Sequence, residues 1–191
     1  MSGMRWLIGL AMLVLPLAAG DEGGKIVEAA RKQVGVTVWY DPDYVILDYP
    51  GGDVPRALGV CTDVIIRALR DGIGQDLQKL VHEDMKANFK AYPKNWGLSR
   101  PDKNIDHRRV PNLQTFFKRR GFSLKLSKEP DDFKAGDLVT CTVPPHLPHV
   151  MIVSDKKNAE GVPLVIHNIG GGAREEDVLF TYPLTGHYRW K

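Results

Sequence analysis

Cys61, His149 and His167 are the residues whose types and settings could carry covalent chemistry. Cys61 follows a stretch containing Pro50, Gly51, Gly52, Pro55 and Gly59 that is incompatible with regular helix. From the cysteine onward, Cys61, Val64, Ile65, Ala68 and Leu69 recur at the spacing of a buried helical stripe, so a helix is expected to begin at the sulfur. Unpaired N–H groups and the positive end of the helix dipole in a first turn favour a thiolate over a thiol, which makes a nucleophile. The opposite face, Asp63, Arg67 and Arg70, is expected to meet water or a partner, with Asp63 and Arg67 as an i, i+4 ion pair. The competing role for Cys61 is that of a small core residue.

A cysteine nucleophile needs a base. His149 opens the segment HVMIVSD, and His167 sits in the apolar segment PLVIHNI, where a polar side chain must find a partner. Thiol, imidazole and a third group orienting that imidazole make a nucleophilic triad. His167 and its neighbour Asn168 are both chemically suited to the orienting role, and in a strand they point to opposite faces, so only one can meet His149. His146, three residues before His149, allows a different chemistry in which His146, His149 and His167 hold a zinc ion. The polar run Asp106-His107-Arg108-Arg109 is either a solvated helix entry or a clamp in which Arg108 or Arg109 binds a carboxylate of an anionic peptide.

The positioning elements can be outlined from periodicity. Residues 25–34 place Ile26, Ala29, Ala30 and Val34 on one helical face; VTVWYD and YVILDYP look extended. After the cysteine helix, Leu77, Leu80, Val81, Met85 and Phe89 mark a helix over 76–90, and Leu113, Phe116 and Phe117 another, stopped by Gly121. Strand-like segments then follow: SLKLS, DLVTCTV, HVMIVSD and PLVIHNI. Helices first and an antiparallel sheet after them make an α+β fold.

Taken together, these motifs resemble the NlpC-type branch of the papain-like cysteine peptidases, whose bacterial members cut the peptides of the cell wall. The resemblance rests on Tyr49 with Gly51 and Gly52, Cys61 in GVCTDV, GDLVTC from Gly136, His149 in HVMIVSD and His167 in LVIHN, all in the family's order. It covers residues 49–168, and segments outside it, such as NIDHRRVPNL, look like a poorly characterised family of secreted bacterial proteins related to that branch. The resemblance implies a papain-like core with the nucleophile helix packed on a mainly antiparallel sheet. It implies Cys61 as nucleophile, His149 as general base and then acid, His167 as the orienting group and Tyr49 as a contributor to the oxyanion site. Asp63, Arg108 and Arg109 join Tyr49 as substrate-side candidates. No cofactor is implied, and peptidoglycan or a muropeptide is the expected substrate. Where the family usually has Asp-Cys-Ser-Gly, this chain has Val60, Cys61, Thr62 and Asp63, and the insert of residues 73–135 is long. A non-catalytic wall-binding module of the same fold is the alternative, since one fold hosts unrelated functions.

Composition sets the surroundings. The chain has 191 residues, 43% hydrophobic and 26% charged, enough for one domain with a core. Residues 1–20 carry Arg5 as their only charge, then an apolar run from Trp6 to Leu17 and the small residues Ala18, Ala19 and Gly20. That pattern reads as a secretory signal peptide cleaved near Gly20, leaving residues 21–191 as a single hydrolase domain in the periplasm or outside the cell, with no membrane span. Its 25 Lys and Arg against 23 Asp and Glu give a charge of +2, too small to argue for nucleic acid. Export also makes a disulfide between Cys61 and Cys141 an alternative fate for both thiols.

Overall fold

Ile26, Ala29 and Ala30 are buried on one side of α1 (Glu22–Arg31), the first element of a computed structural model that describes residues 22–191. The expected signal peptide lies outside the described residues. The helix stops earlier than its sequence pattern predicts: Val34 is exposed, and Gln33 is buried instead, its amide donating to the carbonyl of Val64. Of the two segments expected to be extended, only Trp39–Tyr40 (β1) is a strand; it pairs in parallel with Leu58–Gly59 (β2). The YVILDYP segment forms no strand, and Ile46 stands exposed.

Cys61 is the first residue of α2 (Cys61–Ile73), as its spacing predicts. Gly74 closes the helix in a left-handed conformation (φ 69°), its N–H reaching back to the carbonyls of the last turn. The expected solvent face is overturned: Asp63 and Arg67 are as buried as the apolar stripe. They do not pair with each other. Arg67 is held by Asp53 and by the carbonyls of Val54 and Leu58, and Asp63 by Arg108. The long loop between β1 and α2 wraps the polar face, so charges spaced for water are satisfied internally.

Two further helices cover the insert, α3 (Leu77–Asn88), capped by the Asp76 carboxylate, and α4 (Val110–Arg119). The sheet comprises β3 (Leu138–Val143), β4 (Leu147–Lys157), β5 (Pro163–Asn168), β6 (Ala173–Glu176) and β7 (Leu184–Tyr188). Its order is β6-β5-β4-β3-β7, antiparallel throughout. SLKLS is not a strand of its own; only Ser123 bridges to Tyr188. Gly136, at φ 84°, admits β3 against α1, where an added Cβ would strike the backbone of Gly23.

Both faces of the sheet are buried. Val150, Ile152 and Ile166 face the helices, in one core with Ile65, Leu69 and Phe116. The alternate residues Val139, Cys141, Met151, Val153 and Val165 form a second core with Phe133 and Leu179. Burial on both faces is why these strands read as continuous apolar runs instead of alternating ones. The result is an α+β fold in which the cysteine-bearing helix packs on an antiparallel sheet. No helix of the described residues is long and apolar enough to cross a membrane.

Candidate functional site

Val60, extended at the N-cap, turns the chain into α2, and its N–H donates to the Asp63 carboxylate at 2.7 Å. This return bond from the third helical residue fixes the first turn and hence the sulfur. Arg108 completes the clamp, donating to both oxygens of Asp63 at 3.0 and 2.9 Å and to the carbonyls of Asp43 and Asp41. The pair is almost wholly buried. Arg108 thus spends four of its five N–H donors on positioning the helix start, and one Nη1 donor is left at the edge of the cleft that it helps to line. Asp63 likewise faces its own backbone and Arg108.

Burial dominates the chemistry of the sulfur. It pushes the Cys61 thiol up to about 12, with the Asp63 charge adding to the rise, while the N–H groups of Val150 and Thr62 oppose it. The expected helix-start thiolate is thus overridden in the resting protein, because desolvation of the anion outweighs the field of the first turn. Cys61 and Cys141 are both free thiols, each in a different core, so the expected alternative of a disulfide is not formed.

The sulfur meets β4 at the Val150 N–H, one residue beyond His149. No hydrogen bond joins the Cys61 and His149 side chains among the described residues; resting catalytic contacts are often longer than those in a substrate complex. The His149 Nε2 lies 2.9 Å from the His167 Nδ1, with the rings edge to face. Of the two adjacent candidates, His167 is the one that meets His149. Asn168 points to the other face, donating to the Gly59 carbonyl at 2.9 Å and anchoring the turn that leads into Cys61. Burial holds His149 down to about 3, helped by the neighbouring His167, and lowers His167 as well, against the pull of Glu176. Both rings are neutral at ordinary pH.

A cleft of about 430 Å³ opens over the sulfur, lined by Tyr40, Cys61, Trp96, Arg109, Pro111 and Pro148. The Arg109 guanidinium lies 4.1 Å over the Trp96 ring and donates to Asp106 at 3.1 Å, so it keeps further donors facing the cleft. Tyr49, expected near the oxyanion, is elsewhere: its ring packs edge-on against His82 of α3, below Lys103. Tyr40 is the tyrosine beside Cys61, its hydroxyl pushed up to about 12 by burial and then by the charges of Cys61 and Asp63. Sequence reasoning missed it because VTVWYD reads as a strand, and nothing in that pattern aims one aromatic at a distant cysteine.

Glu176 was also missed. Its carboxylate lies 3.0 Å from the His167 Nε2, and β6, which carries it, has no apolar alternation to announce a strand. The zinc alternative finds no geometry: His146 is exposed on the turn between β3 and β4, the facing nitrogens of His149 and His167 are bonded to each other, and the described residues contain no group of three His, Cys, Asp or Glu placed to hold a metal ion.

Several known proteins are similar to this chain. YijF of Escherichia coli strain K12, an uncharacterized protein, is 58% identical over 165 residues, which is 86% of this chain and 80% of its own. Two crystal structures of an N-acetylmuramoyl-L-alanine amidase from Bacteroides uniformis share the fold with TM-scores of 0.54 and 0.53, at 13% and 14% identity, over 90% and 88% of this chain and 100% and 98% of theirs. NlpC1 from Trichomonas vaginalis matches 91% of this chain at 13% identity and a TM-score of 0.47, and the chain spans 46% of that protein's length. By its match over residues 27–190, the chain belongs to the family described as Domain of unknown function (DUF1287).

Proposed function

We propose that this protein is an exported cysteine hydrolase that cleaves an amide bond in the stem peptides of bacterial peptidoglycan. The observation that carries this reading is the convergence on one point of β4: Cys61, at the start of α2, meets the Val150 N–H, and the adjacent His149 is bonded to His167. The shared fold with the Bacteroides amidases supports a wall substrate.

In this reading the Cys61 sulfur attacks the scissile carbonyl carbon as its proton passes to His149. The N–H groups at the start of α2 and the Tyr40 hydroxyl receive the oxyanion. His149 then protonates the leaving amine, and water, deprotonated by the same imidazole, releases the acyl group from sulfur. Because thiol and imidazole rest neutral, proton transfer accompanies attack, and the cleft must exchange water for substrate before the ion pair forms.

The test is release of peptide from purified wall material. Cys61→Ala and His149→Ala are each expected to abolish fragment release while the proteins keep their fold. Wild-type release by either variant would remove the mechanism. The buried, neutral thiol favours one alternative, a wall-binding module without catalysis. That module would retain wall material equally well as wild type or Cys61→Ala and would yield no fragments from either. Export is tested by the mature N-terminus, expected near Asp21.

A further inference from the structure

The two histidines do not end the chain of hydrogen bonds. His149 Nε2 meets His167 Nδ1 at 2.9 Å, and His167 Nε2 meets the Glu176 Oε2 at 3.0 Å. In the sheet register His167 stands opposite Arg174, so Glu176 reaches it along the diagonal from two residues further on. Arg174 lies 3.7 Å from the other Glu176 oxygen and is itself largely exposed.

Each contact has a direction. A carboxylate only accepts, so the hydrogen between His167 and Glu176 belongs to His167 Nε2. A neutral imidazole carries one hydrogen, which leaves His167 Nδ1 as a bare acceptor. The 2.9 Å contact then requires the hydrogen on His149 Nε2. That leaves His149 Nδ1 as the bare ring nitrogen of the pair.

We propose that Glu176 is a positioning residue that sets the tautomer of both histidines, so that His149 keeps an unprotonated Nδ1 able to take up a proton. The catalytic consequence rests on the cysteine-hydrolase reading above; the tautomers themselves do not. When the Cys61 S–H bond breaks, its proton goes to His149 Nδ1 and its electron pair stays on sulfur for attack. The imidazolium keeps its Nε2–H on His167, and the Glu176 carboxylate, one ring further, opposes the new positive charge. The other charged or titratable groups around the pair are Arg174 on β6 and Cys141, the register partner of His149 on β3.

Long-range ¹H–¹⁵N NMR correlations on the full chain report histidine tautomers directly. In the wild-type protein both His149 and His167 are expected as the Nε2–H form. Glu176→Ala should move His167 toward a mixture of tautomers and lower wall cleavage by about tenfold, less than the ~10²–10⁴-fold that a positioned acid–base group contributes. Glu176→Gln, whose amide oxygen still accepts from His167 Nε2, should keep the wild-type tautomers and most of the activity. An Nδ1–H form of His149 in the wild type, or unchanged tautomers in Glu176→Ala, would overturn the proposal. The same spectra of Cys61→Ala separate the two readings: if that variant still cleaves wall, the hydrolase mechanism fails, while its histidine tautomers still decide the role of Glu176.

Discussion

Asp63 and Arg108, 45 residues apart in sequence, close a two-bond ion pair beneath the first turn of α2, at 3.0 and 2.9 Å. Its partners are all internal: the Val60 N–H on the acid side and the Asp41 and Asp43 carbonyls on the base side. The pair joins three segments, the loop after β1, the start of α2 and the turn before α4, around the cysteine.

Breaking it should therefore unfold before it should inactivate. Arg108→Ala leaves the Asp63 charge buried without its partner, a change that costs about 3–5 kcal/mol. Arg109→Ala, one residue on, removes a cleft-lining guanidinium stacked on Trp96 and also the partner of the buried Asp106 carboxylate, which keeps its bond from the Asp102 N–H; it is expected to raise KM about tenfold or more, as for loss of one charge-assisted contact worth ~1.5–3 kcal/mol, with a smaller loss of stability than Arg108→Ala. Urea unfolding and wall-cleavage kinetics on the two variants check the contrast. A stable, high-KM Arg108→Ala protein would return that arginine to the substrate.

The thiol gives the second expectation. Burial pushes Cys61 up to about 12, so its alkylation by iodoacetamide should be slow at pH 7 and climb tenfold per pH unit well beyond the range of an ordinary cysteine. Cys141, raised to about 11 by burial alone, should be slow as well. Mass spectrometry of the labelled peptides separates them. Rapid labelling of Cys61 at pH 6 would mean that a thiolate exists at rest and that the helix start, not burial, governs the sulfur.

The sequence made the cysteine helix and the histidine strands legible because their apolar residues keep strict helical spacing or form uninterrupted strand-like runs. Cys61 as the first helical residue and His149 and His167 in adjacent strands followed from that. Burial of Asp63 and Arg67 did not, because helical periodicity sorts apolar from polar and is silent on a loop that covers the polar face. β6 and β7 were missed for a related reason: AREE and LTGHY are short edge strands with too few apolar residues to alternate. Glu176 and Tyr40 came to the site through such segments, and only three-dimensional register brings them there.

Acid should loosen the fold through its neutral histidines. Burial holds His149 and His107 down to about 3 from an ordinary 6.5. Below 6.5 the unfolded chain takes up protons that the folded chain refuses, so the stability present above 6.5 is lost as pH falls toward 3. Each such group contributes a slope of about 1.4 kcal/mol per pH unit in that window. Urea midpoints measured from pH 7 down to pH 4 should fall steadily, and His107→Gln should flatten the slope by about one proton. A midpoint independent of pH over this range would show that these rings titrate normally.

His167 and Asn168 offer the last contrast, since neighbouring residues on one strand serve opposite faces. His167→Ala removes the partner of His149 Nε2 and should cut turnover by at least the ~10²-fold of a misoriented general base, with Cys61 still alkylatable at high pH. Asn168→Ala removes one of two donors to the Gly59 carbonyl, which keeps the Asp41 N–H at 3.2 Å, a loss of about 0.5–1.5 kcal/mol, felt as a lower urea midpoint and a modest loss of activity as the turn before Cys61 loosens. The two effects should be separable in a single pair of assays, thermal melting and wall cleavage. An inactive, fully stable Asn168→Ala beside a near-normal His167→Ala would hand the orienting role to the other face of β5 and would require the cysteine to draw its base from the helix side of the sheet.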